Sequence, residues 1–235
     1  MLTGRPTSLI SIIIPVLDEA EHIRATLTEL RQTAGIEIIV ADGGSRDGTC
    51  RLARSFGARV LTAPAGRARQ MNAGAGLASG DILLFLHADT ILPGGFGQQV
   101  RQALARPGVV GGAFKLSISG PGLGLRLIEW AANQRAVLGR VPYGDQAIFL
   151  STAVFRAMGG FRELPIMEDF ELVSRLRKQG RITILPVAVS TSARRWRRAG
   201  LLRTTFINQA VVLGYWCKIC PGRLARWYRW AGDRG

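Results

Sequence analysis

Leu83-Leu84-Phe85-Leu86-His87-Ala88-Asp89-Thr90 is an apolar run that breaks into a short polar turn carrying one carboxylate. An unbroken apolar run of this length ending at a turn reads as a strand buried on both faces, the kind found in a parallel sheet. Ligands bind where such strands end, so Asp89 is held on a rigid element within reach of a divalent ion or a phosphate. Upstream, Ile38-Ile39-Val40-Ala41-Asp42-Gly43-Gly44-Ser45-Arg46-Asp47-Gly48-Thr49 is a second apolar strand ending in an acidic, Gly-rich turn. Downstream, Met167-Glu168-Asp169-Phe170-Glu171-Leu172 sets paired carboxylates at the start of an apolar-periodic helix.

Around these stations the first half alternates strands over 8–16, 36–42, 59–62 and 82–86 with helices over 18–33, 47–56 and 70–78. This order predicts an α/β fold with a mostly parallel sheet covered by helices, both acidic turns lying at its carboxyl edge. The second half is mixed. Helices are expected over 94–105, 123–138, 152–158 and 168–179, an extended segment over 109–119, and strands over 146–150 and 182–189. Residues 1–190 then form one domain, and 191–235 a basic, aromatic-rich helical extension packed on it or on a membrane surface.

The chain has 235 residues, 47% of them hydrophobic, enough to bury a full core and to exclude disorder. Its net charge of +15 is uneven: from Ser190 onward ten basic residues face Asp233 alone. Such a tail suits phosphate-bearing partners or an anionic bilayer surface. Arg223, Arg226 and Arg229 recur at helical spacing beside Trp227, Tyr228 and Trp230, which fits either a membrane-lying helix or an ordinary closing one. Cys50, Cys217 and Cys220 cannot build a disulfide framework and suggest a reducing compartment, and Cys217 and Cys220 lack the companions of a four-ligand zinc site. The apolar run over 9–17 is too short for a membrane span and reads as the first strand rather than a leader.

Each candidate site residue has a chemical and a structural reading. Asp42 can accept from an imide such as uracil N3–H, with Gly43 and Gly44 allowing close backbone approach, or it can simply form a turn. Arg67 and Arg69 stand at a helix start, as a diphosphate platform or as a solvated basic face. Asp89 is a hard oxygen ligand for Mn²⁺ or Mg²⁺, and His87 would assist Mn²⁺ better than Mg²⁺. Asp169, beside Glu168, is a general base for a hydroxyl nucleophile or a helix cap.

Together these motifs resemble the family-2 glycosyltransferases of the GT-A fold, over about residues 8–190. Ser11-Ile12-Ile13-Ile14-Pro15-Val16-Leu17-Asp18-Glu19 is similar to that family's opening strand and P-x-x-N-E turn, with Asp18 in the Asn place. The segment from Val40 to Thr49 resembles the V-D-D-G-S-x-D-G-T signature, that from Gly74 to Asp89 the region ending in D-x-D, and Glu168-Asp169 the catalytic E-D pair. His87 stands where the first Asp of D-x-D is usual, so the site carries one fewer negative charge. His-Ala-Asp-Thr, Gly144-Asp145-Gln146 and Arg194-Arg195-Trp196 are together similar to a compact bacterial subset. Some of its members are associated with radical-SAM pathways such as arsenosugar synthesis.

The resemblance implies a metal-assisted, inverting hexosyltransferase that uses a nucleotide sugar, UDP-linked, and an acceptor hydroxyl that is lipid-linked or anionic. Donor contacts fall to Pro15, Asp18, Glu19, Asp42, Arg67, Arg69, Asn72, His87, Ala88 and Asp89. Catalysis falls to Asp169 with Glu168, and the metal, Mn²⁺ or Mg²⁺, to Asp89 with His87 beside it. Gln146, Arg195 and Trp196 are acceptor-side or diphosphate candidates. The expected place is the cytoplasm or the inner face of a membrane, without a nucleic-acid partner. Two other classes compete. A sugar-phosphate nucleotidyltransferase would want a basic Gly-rich loop after the first strand, where Asp18-Glu19 stands. A basic membrane- or nucleic-acid-binding protein with a degenerate nucleotide site would not need acidic stations at the sheet edge.

Overall fold

The first strand, β1 (Ile10–Val16), is rich in β-branched residues and almost wholly buried, which only a central strand covered on both faces can satisfy. It pairs in parallel with β2 (Ile36–Asp42) on one side and β4 (Ile82–Phe85) on the other, and β2 pairs in parallel with β3 (Arg59–Thr62). The computed structural model describes residues 8–232, apart from the side chains of residues 195, 198 and 199. Among the described residues eight strands form one sheet, in the order β3-β2-β1-β4-β7-β6-β8-β5.

The other four strands are β5 (Thr90–Ile91), β6 (Val109–Ser119), β7 (Phe149–Ser151) and β8 (Arg181–Ser192). β7 runs antiparallel to both β4 and β6, so the sheet changes character at the edge where the His87-Ala88-Asp89 turn emerges. β6 and β8 are parallel and carry the longest register, with irregularities after Val109 and Ala113.

Helices α1 (Ala20–Leu30), α2 (Thr49–Ser55), α4 (Phe96–Leu104) and α5 (Leu123–Gly139) cover one face. On α1, Ile23, Leu27 and Leu30 recur on a single buried face. Helices α3 (Arg67–Leu77), α6 (Thr152–Ala157) and α7 (Glu168–Gln179) cover the other face. Beyond β8 come α8 (Arg194–Ala199), α9 (Leu201–Trp216) and α10 (Pro221–Gly232). No helix among the described residues is long and apolar enough to cross a membrane.

Several boundaries differ from the sequence expectations, each for a local reason. α1 begins at Ala20 rather than at residue 18, because Asp18 takes φ 53° in a sharp turn. α2 begins at Thr49, after Gly48 at φ 91° has reversed the chain and Asp47 has capped Thr49. α3 begins three residues early, which brings Arg67 and Arg69 into its first turn. Gln146 is not the start of a strand. Gly144–Gln146 forms a short 3₁₀ turn, and the buried Gln146 amide donates to the Phe114 carbonyl at 3.0 Å. The helix α8 and the short strand β5 carry too few periodic residues to be read from sequence.

Candidate active site

Two loops at the carboxyl ends of β1 and β2 are tied into one platform. The Asp42 carboxylate turns back on its own loop and accepts from the Gly44 amide at 3.0 Å and the Ser45 amide at 3.1 Å. Burial pushes this carboxyl up, but hydrogen bonds from Ser45, Cys50 and Gly44 outweigh it and hold it below the usual range. Asp18 joins the first loop to the second: its amide donates to Ser45 Oγ at 2.9 Å and its carboxylate accepts from the Arg46 amide at 2.7 Å. The Glu19 amide donates to Thr49 Oγ1, and the Ala20 amide to Asp47 Oδ2.

Gln70, not singled out from the sequence, pins this platform from beneath. Its buried side-chain amide donates to the carbonyls of Val16 (2.7 Å) and Ala41 (2.8 Å) and accepts from the Gly66 amide (3.2 Å). Replacing Gln70 with Leu removes three hydrogen bonds and leaves the Val16 carbonyl only its bond from the Gly43 amide, at roughly 2–4 kcal/mol. Thermal unfolding should show a fall of about 2–4 °C for each kcal/mol lost.

The turn after β4 is fixed by α1, where Thr26 Oγ1 donates to the Ala88 carbonyl at 2.8 Å. Ala88 is buried there, between the partly exposed His87 and Asp89. Arg194, at the start of α8, pairs with both acidic stations of this edge: Nη2 and Nη1 lie 2.9 and 3.1 Å from the two Glu19 carboxylate oxygens, and Nε lies 3.4 Å from Asp89 Oδ2. Burial, then the charges of Arg67 and Arg194, drive the His87 imidazole down to about 3, so at neutral pH it is uncharged.

On the other side of His87 stands the start of α7. Asp169 Oδ2 accepts from the Gly144 amide at 2.6 Å. A Cβ at Gly144 would lie 3.1 Å from that oxygen and 3.3 Å from His87 Nε2, so a side chain there would press on both. Pro15, Arg67, His87, Gly144, Glu168 and Asp169 line one cleft at the carboxyl edge of the parallel strands. A carboxylate, a neutral imidazole and a guanidinium facing one space can accept a proton while binding an anion.

The sequence profile described as "Glycosyl transferase family 2" matches residues 11–162. The chain belongs to that family. Among curated relatives it is similar to the succinoglycan biosynthesis protein ExoA of Rhizobium meliloti (strain 1021), 29% identical over 72% of this chain and 58% of the relative. It also resembles a PGL/p-HBAD biosynthesis glycosyltransferase of Mycobacterium bovis (strain BCG / Pasteur 1173P2), 41% identical over 36% of each chain. The chain thus spans between about a third and three fifths of the lengths of these relatives.

Its fold is shared with a mannosyltransferase, PcManGT from Pyrobaculum calidifontis, solved with GDP-Man and Mn²⁺. The TM-score is 0.66 at 20% identity, over 89% of this chain and 65% of that one. S. aureus TarS, solved with UDP-GlcNAc, gives 0.62 at 16% identity over 78% and 58%. These likenesses establish the GT-A fold for this family-2 chain.

Within that fold the residues singled out from sequence divide. Pro15, Arg67, His87, Glu168 and Asp169 meet in the cleft, while Asp18, Glu19, Asp42 and Asp89 form its adjoining edge. Arg69 points elsewhere, to Glu163 at 2.9 Å. Both ends of the Asn72 amide are taken by the Phe161 backbone, at 2.8 and 2.9 Å. Gln146 is buried and carries the turn that presents Gly144, accepting from the Tyr143 amide at 3.2 Å. Trp196 is partly buried against the main core, and its indole nitrogen has no hydrogen-bond acceptor. The Arg195 side chain lies outside the described residues.

Two acidic groups flank Asp169. Burial, then the charge of Asp169, raise the Glu168 carboxyl above the carboxylate range. Burial chiefly raises Asp145 to about 6, with Asp169 adding to the rise and Arg135 opposing it. Asp145 Oδ1 is enclosed without a donor, and Arg194 and Asp145 are the site neighbours that sequence reasoning missed. The Gly144-Asp145-Gln146 stretch was the available signal for Asp145, but its burial depends on α5 and α7.

A carboxyl raised in the fold costs no stability below its unfolded value near 3.8 and its full penalty above about 6. The melting temperature of Asp145→Asn relative to the native chain should therefore rise between pH 4 and pH 7. A gap that stays constant across that range would remove the assignment.

The metal question turns on the donor set. Asp89 offers one hard carboxylate, already engaged by Arg194, with His87 beside it as a neutral imidazole. No group of three His, Cys, Asp or Glu side chains converges among the described residues. Mg²⁺ and Mn²⁺ are commonly held by one or two carboxylates with phosphate and water completing the shell. The residues present fit such an ion arriving with a diphosphate.

Proposed function

We propose that this chain transfers a sugar from a nucleotide-sugar donor, UDP-linked, to an acceptor hydroxyl with inversion at the anomeric carbon. The observation that carries the reading is the cleft itself. Asp169, held by the Gly144 amide, shares it with neutral His87 and the Arg67 guanidinium at the edge where nucleotide-binding strands end. Membership in family 2 supports the transfer, and the Asp42 loop supports a base contact beside it.

In this reading the donor diphosphate lies between Arg67 and Arg194, and the acceptor approaches Asp169 from the opposite face of the sugar. The acceptor oxygen forms its bond to the anomeric carbon as the bond to the diphosphate oxygen breaks, and Asp169 takes the hydroxyl proton. The electron pair leaves with the diphosphate, whose charge the two guanidinium groups offset. His87, uncharged, adds no repulsion to either partner. A divalent ion on Asp89, Mn²⁺ or Mg²⁺, would supply further charge stabilisation to the diphosphate when bound. The acceptor is lipid-linked or anionic and the place of action the cytoplasmic side of a membrane, a reading supported by the basic tail.

A thermal-shift panel of UDP, GDP, CDP and dTDP, each with Mn²⁺, Mg²⁺ or EDTA, tests the donor assignment. Selective binding raises stability by roughly RT ln(1 + [L]/Kd), so UDP at a hundred times its Kd adds about 2.7 kcal/mol. UDP should stabilise most, and more with metal than with EDTA. Equal silence toward all four nucleotides would overturn the reading.

A further inference from the structure

Helix α5 is amphipathic the wrong way round for a helix facing water. Leu123, Leu127, Trp130, Gln134 and Val137 recur at i, i+4, i+7, i+11 and i+14, on a single face, and that face is exposed. Leu123 is 89% exposed and Trp130 60%. The charged residues of α5 are used inward or sideways. The Arg126 guanidinium donates to the Ile118 and Gly120 carbonyls, Glu129 accepts from the Ile118 amide, and Arg135 donates to the Val141 carbonyl.

Helix α9 repeats the arrangement with the same spacing: Leu202, Phe206, Gln209, Leu213 and Trp216 form its exposed stripe. Its single charged residue, Arg203, donates to the Ala231 carbonyl at 2.7 Å. The two helices meet at their N-terminal ends, where a Cβ on Gly124 would lie 2.4 Å from a Leu201 methyl. The stripes therefore adjoin there. Water-exposed apolar surface on this scale marks a site of association.

Charge decides the occupant. No Asp or Glu occurs between Glu171 and Asp233, whereas Arg140 at the end of α5, Lys218 after α9, and Arg223, Arg226 and Arg229 on α10 are all exposed. An apolar face carrying Trp and Phe with a basic rim matches the interface of an anionic bilayer, where rings and aliphatic chains enter the headgroup boundary and guanidinium groups meet phosphates. We infer that the outward faces of α5 and α9 form one docking surface for an anionic lipid bilayer, with α10 as its basic rim. α9 also packs on the start of α7: Phe170, next to Asp169, stacks edge-on with Tyr215 and lies 6.4 Å from the Trp216 ring. The docked surface thus borders the cleft, where a lipid-linked acceptor would arrive. That last link rests on the transfer reading, whereas the docking surface does not.

Co-sedimentation of the full chain with phosphatidylcholine vesicles, with and without 30 mol% phosphatidylglycerol, tests the surface. Binding to the anionic vesicles should exceed that to neutral ones by about tenfold or more and fall steeply as NaCl rises, since each basic residue near the surface adds about 1 kcal/mol at low salt. The exposed-stripe variant L127S/W130S/F206S/L213S should lose about tenfold in vesicle binding while UDP stabilisation and melting temperature stay unchanged. The rim variant R223Q/R226Q/R229Q should flatten the salt dependence, which keeps the test alive if the first variant misfolds. Failure to bind anionic vesicles, or a native dimer that the stripe variant converts to monomer, would overturn the inference. Vesicle binding without any nucleotide response would leave it standing and remove only the transfer reading.

Discussion

Asp169→Asn should lower glycosyl transfer by about 10²–10⁴-fold, the ordinary worth of a positioned general base, while UDP still stabilises the folded chain. Asn keeps the size of Asp and an oxygen able to accept from the Gly144 amide, so the turn that presents Asp169 is retained. What is lost is the capacity to hold a proton from the acceptor hydroxyl. The neighbouring carboxyl supplies the control. Glu168 is buried and pushed toward its protonated form by burial and by Asp169, so Glu168→Gln keeps its shape and mimics the form this environment favours. It should cost transfer far less than the change at 169, and least at pH values below about 7, where Glu168 is protonated. Release of nucleoside diphosphate from UDP-sugars, measured with a lipid-linked acceptor fraction, reads both variants against the native chain. Equal losses at 168 and 169, or a loss at 169 matched by loss of UDP binding, would assign Asp169 to structure rather than proton transfer.

The contrast between these carboxyls marks where sequence reading stops. β1 and β4 were legible because a strand buried on both faces reads as a near-continuous apolar run, β2 by the apolar run of its buried second half, and the turns that follow such runs have to be polar. The stations at Asp42 and Asp89 followed from those turns, and Asp169 from the start of an apolar-periodic helix. The roles of Arg69 and Asn72 were less legible, since one helix start aims Arg67 at the cleft and Arg69 at Glu163, a difference set by rotation about the helix axis and by the loop carrying Glu163. Gln70 was hidden for the opposite reason. A polar residue in a helix reads as exposed until the carbonyls of Val16 and Ala41 are brought over it by two separate strands. The outward facing of the α5 stripe was not legible, because apolar periodicity reports a face and not the side on which water lies. The burial of Leu125, Ala132 and Ala136 and the hydrogen bonds of Arg126, Glu129 and Arg135 show which way that helix is turned.

Arg194→Gln should weaken binding of UDP by about ten- to a hundredfold while changing thermal stability by no more than about 1 kcal/mol. The two effects separate because the pairs that Arg194 makes in the free protein are partly exposed. Its own side chain is 45% accessible, and surface ion pairs of that kind contribute little to folding. A diphosphate held against the same guanidinium is a charge-assisted contact worth roughly 1.5–3 kcal/mol, which is where the loss of affinity comes from. The substitution also releases Asp89 from its 3.4 Å contact, leaving that carboxylate with one fewer cation beside it. Dependence of UDP binding on Mn²⁺ or Mg²⁺ should consequently become steeper, because the ion then replaces charge that the protein had supplied. Arg194→Lys should recover only part of the affinity, since a single ammonium cannot span both Glu19 oxygens while reaching Asp89 as the planar guanidinium does. Isothermal titration of each variant with UDP, in Mn²⁺ and in EDTA, gives the affinities directly. Unchanged affinity in Arg194→Gln would confine this residue to joining the C-terminal helices to the first loop. The diphosphate charge would then fall to Arg67 and the metal alone.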